Sequence, residues 1–214
     1  MDLDNLLVEP AASEPTTKFF SVDVNDLVNR QRFQDDEEFF TFLDKLPCPC
    51  PEGPWLAGGS VRRILMGDRQ DSDYDFFFSS PKQLKDFVEE IVKGGGVLVR
   101  ENDFNKTFLI HGKKVQAIHH RFYSTLGHVL DSFDFTICQF GYDGHRLLIG
   151  VVSPFDAATK HLVPTTITYA VSSVRRIVKY TKQGFYICSG GIASLLSQVA
   201  SNPELIHAEM EYLD

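Results

Sequence analysis

The chain has 214 residues, 43% of them hydrophobic and 23% charged, a globular balance that argues against general disorder. Its longest nearly unbroken apolar stretch, 147–152, falls far short of the roughly 18 residues that cross a bilayer. The net charge of −8 lies in residues 1–52, with 12 acids and 4 bases, while residues 53–214 hold 17 of each and carry no strong polyanion-binding footprint.

Residues 1–20 place Asp2, Asp4, Glu9 and Glu14 where a secretory leader carries bases, so neither export nor membrane association is expected. Four cysteines (Cys48, Cys50, Cys138, Cys188) make no disulfide framework in a chain of this length, and a reducing cytoplasm is the expected location. Cys48-Pro49-Cys50-Pro51 has poor spacing for zinc and reads as a proline-stiffened linker.

In chain order, residues 1–20 read as a loosely docked acidic arm. Asp23–Arg32 and Asp35–Leu46 read as short helices with acidic starts, followed by a loop over Pro47–Pro54. Trp55-Leu56-Ala57 predicts a strand running into Gly58-Gly59-Ser60. A helix of about two turns follows, with Val61, Ile64 and Leu65 inward and Gly67 as its stop. Asp73–Phe78 predicts a strand, Gln83–Val92 a helix, and Val97–Arg100, Lys106–Ile110 and Lys113–Ile118 three strands. Thr125–Leu130 reads as a short helix, Phe133–Phe140 as a strand, and Tyr142-Asp143-Gly144 as a turn into a strand over Leu147–Val152. Helices over Ala170–Gln183 and Ile192–Ala200 close the pattern. The order gives an α+β class: a mixed β-sheet packed with helices, with helical additions at both ends. It divides into an arm (1–52), a core (53–169) and C-terminal helices (170–214).

Three features fit one chemistry. Glycines between a strand and a helix let backbone N–H groups approach an anion, and the helix N-terminus adds positive potential, so Gly58, Gly59 and Ser60 are candidate phosphate binders. On the strand that follows, side chains two apart share a face. Asp73 and Asp75 therefore lie together while Tyr74 and Phe76 point into the core. Two adjacent carboxylates repel unless a cation joins them, and Mg2+ or Mn2+ suits their oxygens. Apolar residues at 133, 135 and 137 put Asp134 on the opposite face of its strand. If that strand neighbours the Asp73 strand, three carboxylates converge on two ions. On the helix 170–183, Arg175, Lys179 and Lys182 form a basic stripe that reads as a solvated helix face or, beside an acidic metal site, as a hold for a triphosphate, and Val171, Val174 and Val178 form an apolar one.

The stretch Leu56-Ala57-Gly58-Gly59-Ser60-Val61-Arg62-Arg63, followed by Asp73-Tyr74-Asp75-Phe76, resembles the nucleotidyltransferase fold of the DNA polymerase beta superfamily. Its Gly-Gly-Ser-Val-Arg wording is similar to that of CCA-adding enzymes and bacterial poly(A) polymerases, and the segments around Asp134 and Arg176-Ile177-Val178-Lys179-Tyr180 resemble small viral and microbial nucleotidyltransferase-like proteins. The resemblance covers roughly residues 55–185. It implies an enzyme that moves a nucleoside monophosphate from an NTP such as ATP to an acceptor hydroxyl, on an RNA or tRNA 3′ end, a small molecule or a protein. It also implies Asp73, Asp75 and Asp134 as metal ligands and catalytic residues, with Gly58, Gly59, Ser60, Arg62, Arg175 and Lys179 toward the nucleotide. Arg63 departs from the pattern, standing where the CCA-adding motif usually has an acid, and 214 residues are expected to leave no room for the helical tRNA-binding portion of those enzymes, so CCA addition itself is not expected. The competing expectation is a non-catalytic nucleotide-binding or protein-assembly module on the same fold.

Overall fold

The computed structural model of the protein describes residues 18–24, 34–47, 49–69 and 71–207. The expected arm up to residue 17, the expected helix beyond Val24 and the Cys48 end of the linker lie outside the described residues.

Eight strands form one mixed sheet: β1 (Phe19–Asp23), β2 (Trp55–Ala57), β3 (Tyr74–Phe77), β4 (Val97–Glu101), β5 (Asn105–Ile110), β6 (Lys113–Ile118), β7 (Phe140–Tyr142) and β8 (Arg146–Gly150). Their order is β1-β8-β7-β2-β3-β6-β5-β4, with β3 and β6 parallel and the other neighbours antiparallel. The helices are α1 (Gln34–Leu43), α2 (Gly59–Met66), α3 (Pro81–Lys93), α4 (Leu126–Asp131), α5 (Ser153–Ala158), α6 (Ala170–Lys182) and α7 (Ser189–Ser201). The α+β class and the mixed sheet packed with helices agree with the sequence reading.

The period-2 pattern of β3 divides the molecule. Tyr74 and Phe76 enter the main core with Phe39, Phe42 and Leu43 of α1, Val61 and Ile64 of α2, and Leu84, Phe87 and Ile91 of α3. The Phe87 ring packs 4.8 Å from Phe76 and 5.1 Å from Phe78, so the three consecutive phenylalanines anchor the centre of the sheet. Phe77 points the other way, into a second cluster with Trp55, Tyr123, Val129 and Leu130 under α4. Asp73 and Asp75 share that second side. The core therefore grips β3 from beneath and leaves its carboxylate pair on the opposite face.

Four expectations are corrected. Phe19–Asp23 is neither arm nor helix start but an edge strand: its aromatic and β-branched residues pair in register with β8, from Phe19↔Gly150 to Asp23↔Arg146. A helix over Ser153–Ala158 was not foreseen. The expected strand Phe133–Phe140 is broken. Phe135 makes a lone bridge to Pro164, Thr136–Cys138 is a single 3-10 turn, and only Phe140–Tyr142 joins the sheet. The buried alternation at Phe135 and Ile137 comes from a loop folded onto residues 163–165, where the Thr136 amide donates to the Val163 carbonyl at 3.0 Å, and not from a ladder. Last, the apolar stripe of α6 is not its packed face. Val171, Val174 and Val178 are exposed, whereas Ser172 and Ser173 are buried, with Ile177 and Tyr180 packed against the phenylalanine cluster at Phe135 and Phe185.

Candidate active site

The site is assembled on β3. Asp75 pairs across the sheet with Ala57 on β2 and with Gln116 on β6. The Gln116 amide nitrogen donates to Asp73 Oδ2 at 2.7 Å, which fixes the first carboxylate against the neighbouring strand. Burial, and then the charge of Asp73, push the Asp75 carboxyl up to about 7. Lys179 and Arg176, both from α6, pull in the other direction. The acid pair over the centre of the sheet thus feels the charge of two bases on α6.

The turn before α2 closes the site from the β2 side. Gly58 holds φ 94° and ψ −137°, a conformation that only glycine adopts without strain. Its N–H donates to the Phe140 carbonyl at 2.8 Å, and its own carbonyl accepts from the Arg62 amide at 3.1 Å. A Cβ at Gly58 would lie 3.8 Å from Asp75 Oδ2, so the glycine bend faces the Asp75 carboxylate across the width of one methyl group. A Cβ at Gly59 would fall 2.4 Å from Ser72 Oγ, in the segment that delivers Asp73. Arg63 steadies that segment through Asp71 at 2.8 Å and the Arg69 carbonyl at 2.9 Å. Gly58→Ala is expected to cost about 1–3 kcal/mol through backbone strain alone, since the added methyl meets no clash. Chemical denaturation of the variant checks this, and an unchanged midpoint would mean the bend is relaxed.

The structure brings Gly58, Gly59, Asp73 and Asp75 together, leaves Lys179 exposed on α6, acting on Asp75 through its charge, and treats the other candidates differently. Ser60 is fully enclosed beneath the bend. Arg62 is 2% exposed. Its guanidinium donates to the Ile137 carbonyl at 3.3 Å and lies 5.6 Å from the Tyr180 ring centre and 5.3 Å from that of Phe185, a bracing position inside the protein. Arg175 is exposed on α6. Asp134 does not stand on a strand beside β3. It is buried in the loop after α4, where Oδ2 accepts from Ser173 Oγ and from Arg176, each at 2.9 Å. Its charge is met by a guanidinium. Among the described residues, no group of three or more His, Cys, Asp or Glu side chains gathers to hold a metal ion. The donor set that remains, two carboxylates on one strand face, suits a hard divalent ion when phosphate oxygens complete the coordination.

Two residues of the site escaped the sequence reading. Gln116 lies on the strand that was expected, but nothing local says that this strand adjoins Asp75. Arg176 was hidden by the valine stripe: phasing α6 on its valines turns Arg176 away from the core side, and its true orientation shows only through Ser172 and Ser173, small polar residues on the packed face.

The family model of the Gabija anti-defense 2 family protein matches residues 30–151, more than half of the chain. The chain belongs to the Gabija anti-defense 2 family. Gabija anti-defense 2 of Bacillus phage SPbetaL7 is 24% identical over 135 residues, which are 62% of this chain and 34% of that relative. Among solved structures, the Thermotoga maritima CCA-adding enzyme complexed with tRNA superposes with a TM-score of 0.57 at 20% identity, over 88% of this chain and 47% of the enzyme. A CCA-adding enzyme complexed with ATP gives 0.57 at 20% identity, over 88% and 48%. The likeness establishes a nucleotidyltransferase-like fold for this member of the anti-defense 2 family. The chain spans about a third of the phage relative and just under half of these enzymes. Among its described residues no helix is long and apolar enough to cross a membrane.

Proposed function

We propose that this anti-defense 2 protein carries a divalent-metal-dependent nucleotidyltransferase head. It would transfer a nucleoside monophosphate from an NTP to an acceptor hydroxyl and release pyrophosphate. The observation that carries the reading is the glycine bend facing the acid pair, with the Gly58 Cβ position 3.8 Å from Asp75 Oδ2. A bend that accepts phosphate and an acid pair that accepts a cation have one common ligand, a metal-bound polyphosphate.

In this reading Asp73 and Asp75 hold Mg2+ or Mn2+, which when bound offsets charge on the phosphate oxygens of the displacement. Gln116 keeps Asp73 aimed at the pocket. Gly59 and the start of α2 offer N–H groups to the phosphates, and Lys179 and Arg176 raise the positive potential on the opposite wall. The acceptor oxygen attacks the α-phosphorus and gives up its proton to solvent, the bond from the α-phosphorus to the bridging oxygen breaks, and pyrophosphate leaves. The family name points to a component of the Gabija defence as the acceptor, ahead of an RNA or tRNA 3′ end or a small molecule.

A second reading, a nucleotide-binding module without turnover, draws support from Asp134, which is engaged by Arg176 and Ser173, so that among the described residues Asp73 and Asp75 stand without a third acid. Each α-labelled NTP, incubated with the protein, Mg2+ or Mn2+, and a panel of purified Gabija proteins, cellular RNA and small acceptors, separates the two. Transfer of label together with pyrophosphate release is expected. Tight nucleotide binding with no pyrophosphate across the panel would select the module.

A further inference from the structure

We propose that Cys188, His161 and Asp156 form a second reactive centre, a thiol nucleophile with its base and the group that orients the base, and that it accepts the acyl group of an apolar ester. The centre shares no residue with the nucleotide pocket and does not depend on the reading above.

The three residues stand far apart in the chain and form no local motif. The bridge His161↔Tyr186 brings them together. Its main-chain bonds run from the Leu162 amide to the Tyr186 carbonyl at 2.7 Å and from the Tyr186 amide to the Lys160 carbonyl at 2.8 Å. Through this segment the side chains alternate as in extended chain. Phe185 and Ile187 pack with the cluster around Phe135, while Tyr186 and Cys188 face outward. The His161 ring is stacked on the Tyr186 ring, with centroids 4.9 Å apart and planes 16° from parallel.

Each member is held for its role. Asp156 is buried in α5, and its Oδ2 accepts from the Thr136 hydroxyl at 2.6 Å, which leaves Oδ1 toward His161 Nδ1 at 4.0 Å. The His161 amide donates to the Asp156 carbonyl at 2.8 Å, tying the two residues at the main chain as well. A carboxylate beside Nδ1 favours the proton there and leaves Nε2 as the acceptor. Nε2 is enclosed and closes no hydrogen bond, while the imidazole lies in hydrogen-bonding range of the Cys188 thiol. Cys188 itself is exposed at the N-cap of α7, where the Gly191 amide donates to its sulfur at 3.4 Å. That amide, and then the imidazole, hold the thiol below its ordinary range and enrich the thiolate. Lys160, next to His161, is turned instead to Asp68 at 3.7 Å and to the Phe185 ring.

Nucleophile, base and orienter are the parts of an acyl-transfer centre. His161 Nε2 takes the thiol proton as the sulfur attacks the acyl carbonyl carbon. The bond from that carbon to the alcohol oxygen breaks, the alcohol leaves with the proton, and a thioester remains on Cys188. The N-terminus of α7 favours the negative charge that develops on the attacked oxygen. The flanks of the sulfur are apolar: Tyr186 two residues before it and Ile192 one turn along α7 are 53% and 46% exposed. This rim fits the hydrocarbon chain of the acyl group.

The test incubates the full chain with p-nitrophenyl octanoate, follows p-nitrophenolate release, and locates the acylated residue by peptide mass mapping. One octanoyl group on Cys188 is expected, formed faster than on N-acetylcysteine at the same pH, with a larger advantage for the octanoate than for the acetate ester. His161→Gln is expected to slow acylation about 10²-fold at pH 7 and to move the midpoint of its pH profile upward. Asp156→Asn keeps an acceptor for Thr136 and turns an N–H toward Nδ1, which reverses the tautomer, so it is expected to slow acylation too. Folded His161→Gln protein acylated as fast as the wild type would reduce Cys188 to an ordinary exposed thiol and overturn the proposal. A wild-type rate no greater than that of N-acetylcysteine, or label spread evenly over the cysteines, would overturn it without any variant. An equal advantage for acetate and octanoate would overturn the apolar-acyl assignment.

Discussion

Changing Asp73 and Asp75 together to Asn is expected to reduce nucleotidyl transfer by on the order of 10³-fold or more, the scale on which a preorganised charge-stabilising group acts. Folding should survive. The two side chains share the face of β3 opposite Tyr74 and Phe76, and Asn keeps their shape, so the core beneath is untouched. Asp75→Asn by itself is expected to stabilise the metal-free protein in a pH-dependent way. The folded-state value near 7 lies above the ordinary 3.8 of the carboxyl. Below about 3.8 both folded and unfolded chains hold the proton and Asp75 costs nothing. As pH rises from there to about 7 the unfolded chain gives up its proton first, so stability drains away, and above 7 the full penalty persists. The gain from Asn should therefore be near zero at pH 4 and on the order of 2 kcal/mol at pH 8, water at the exposed part of Asp75 screening the rest. Thermal unfolding in chelator at both pH values, beside the label-transfer assay, checks the pair of effects. Retained turnover in a folded double variant would discard the mechanism, and a pH-independent gain would discard the electrostatic account.

Arg176→Met should be the most damaging single change on α6. It leaves the Asp134 carboxylate, 5% exposed at its side chain, with the Ser173 hydroxyl and without the guanidinium. Removing one partner of a buried ion pair typically costs about 3 kcal/mol or more, which in a domain of this size lowers the melting temperature by roughly 6–12 °C. The diagnostic result is the double variant. Asp134→Asn removes the orphaned charge while retaining an acceptor for Ser173, so Asp134→Asn with Arg176→Met should recover most of the loss. If the double variant melts no higher than Arg176→Met, the destabilisation arises from packing of the longer aliphatic stem and not from an unpaired charge. Arg175→Met, one residue earlier and exposed, should leave the melting temperature unchanged.

What the sequence disclosed and what it hid follow from the range of the forces involved. The bend at Gly58, the helix behind it, the stop at Gly67 and the shared face of Asp73 and Asp75 are consequences of local geometry: a glycine-only φ, a 3.6-residue period, a 2-residue period. All were readable. The partner of Asp75 across the sheet was not, because β6 reaches β3 only after α3 and two further strands. Asp134 misled for a related reason. Alternating apolar residues at 133, 135 and 137 satisfy a strand template equally well when a loop buries them, and only the contacts to Val163 and Pro164 distinguish the two. On α6 the valines carried the periodic signal, yet the protein buries the serines, since the packed side of that helix holds a polar network around Asp134.

Arg62 gives the pocket an unusual stiffness. Its backbone amide closes the first turn of α2, while its guanidinium lies against the rings of Tyr180 and Phe185. The glycine turn and the end of α6 are therefore joined through one buried side chain. Tyr180 and Phe185 thereby become the backing against which that turn is held.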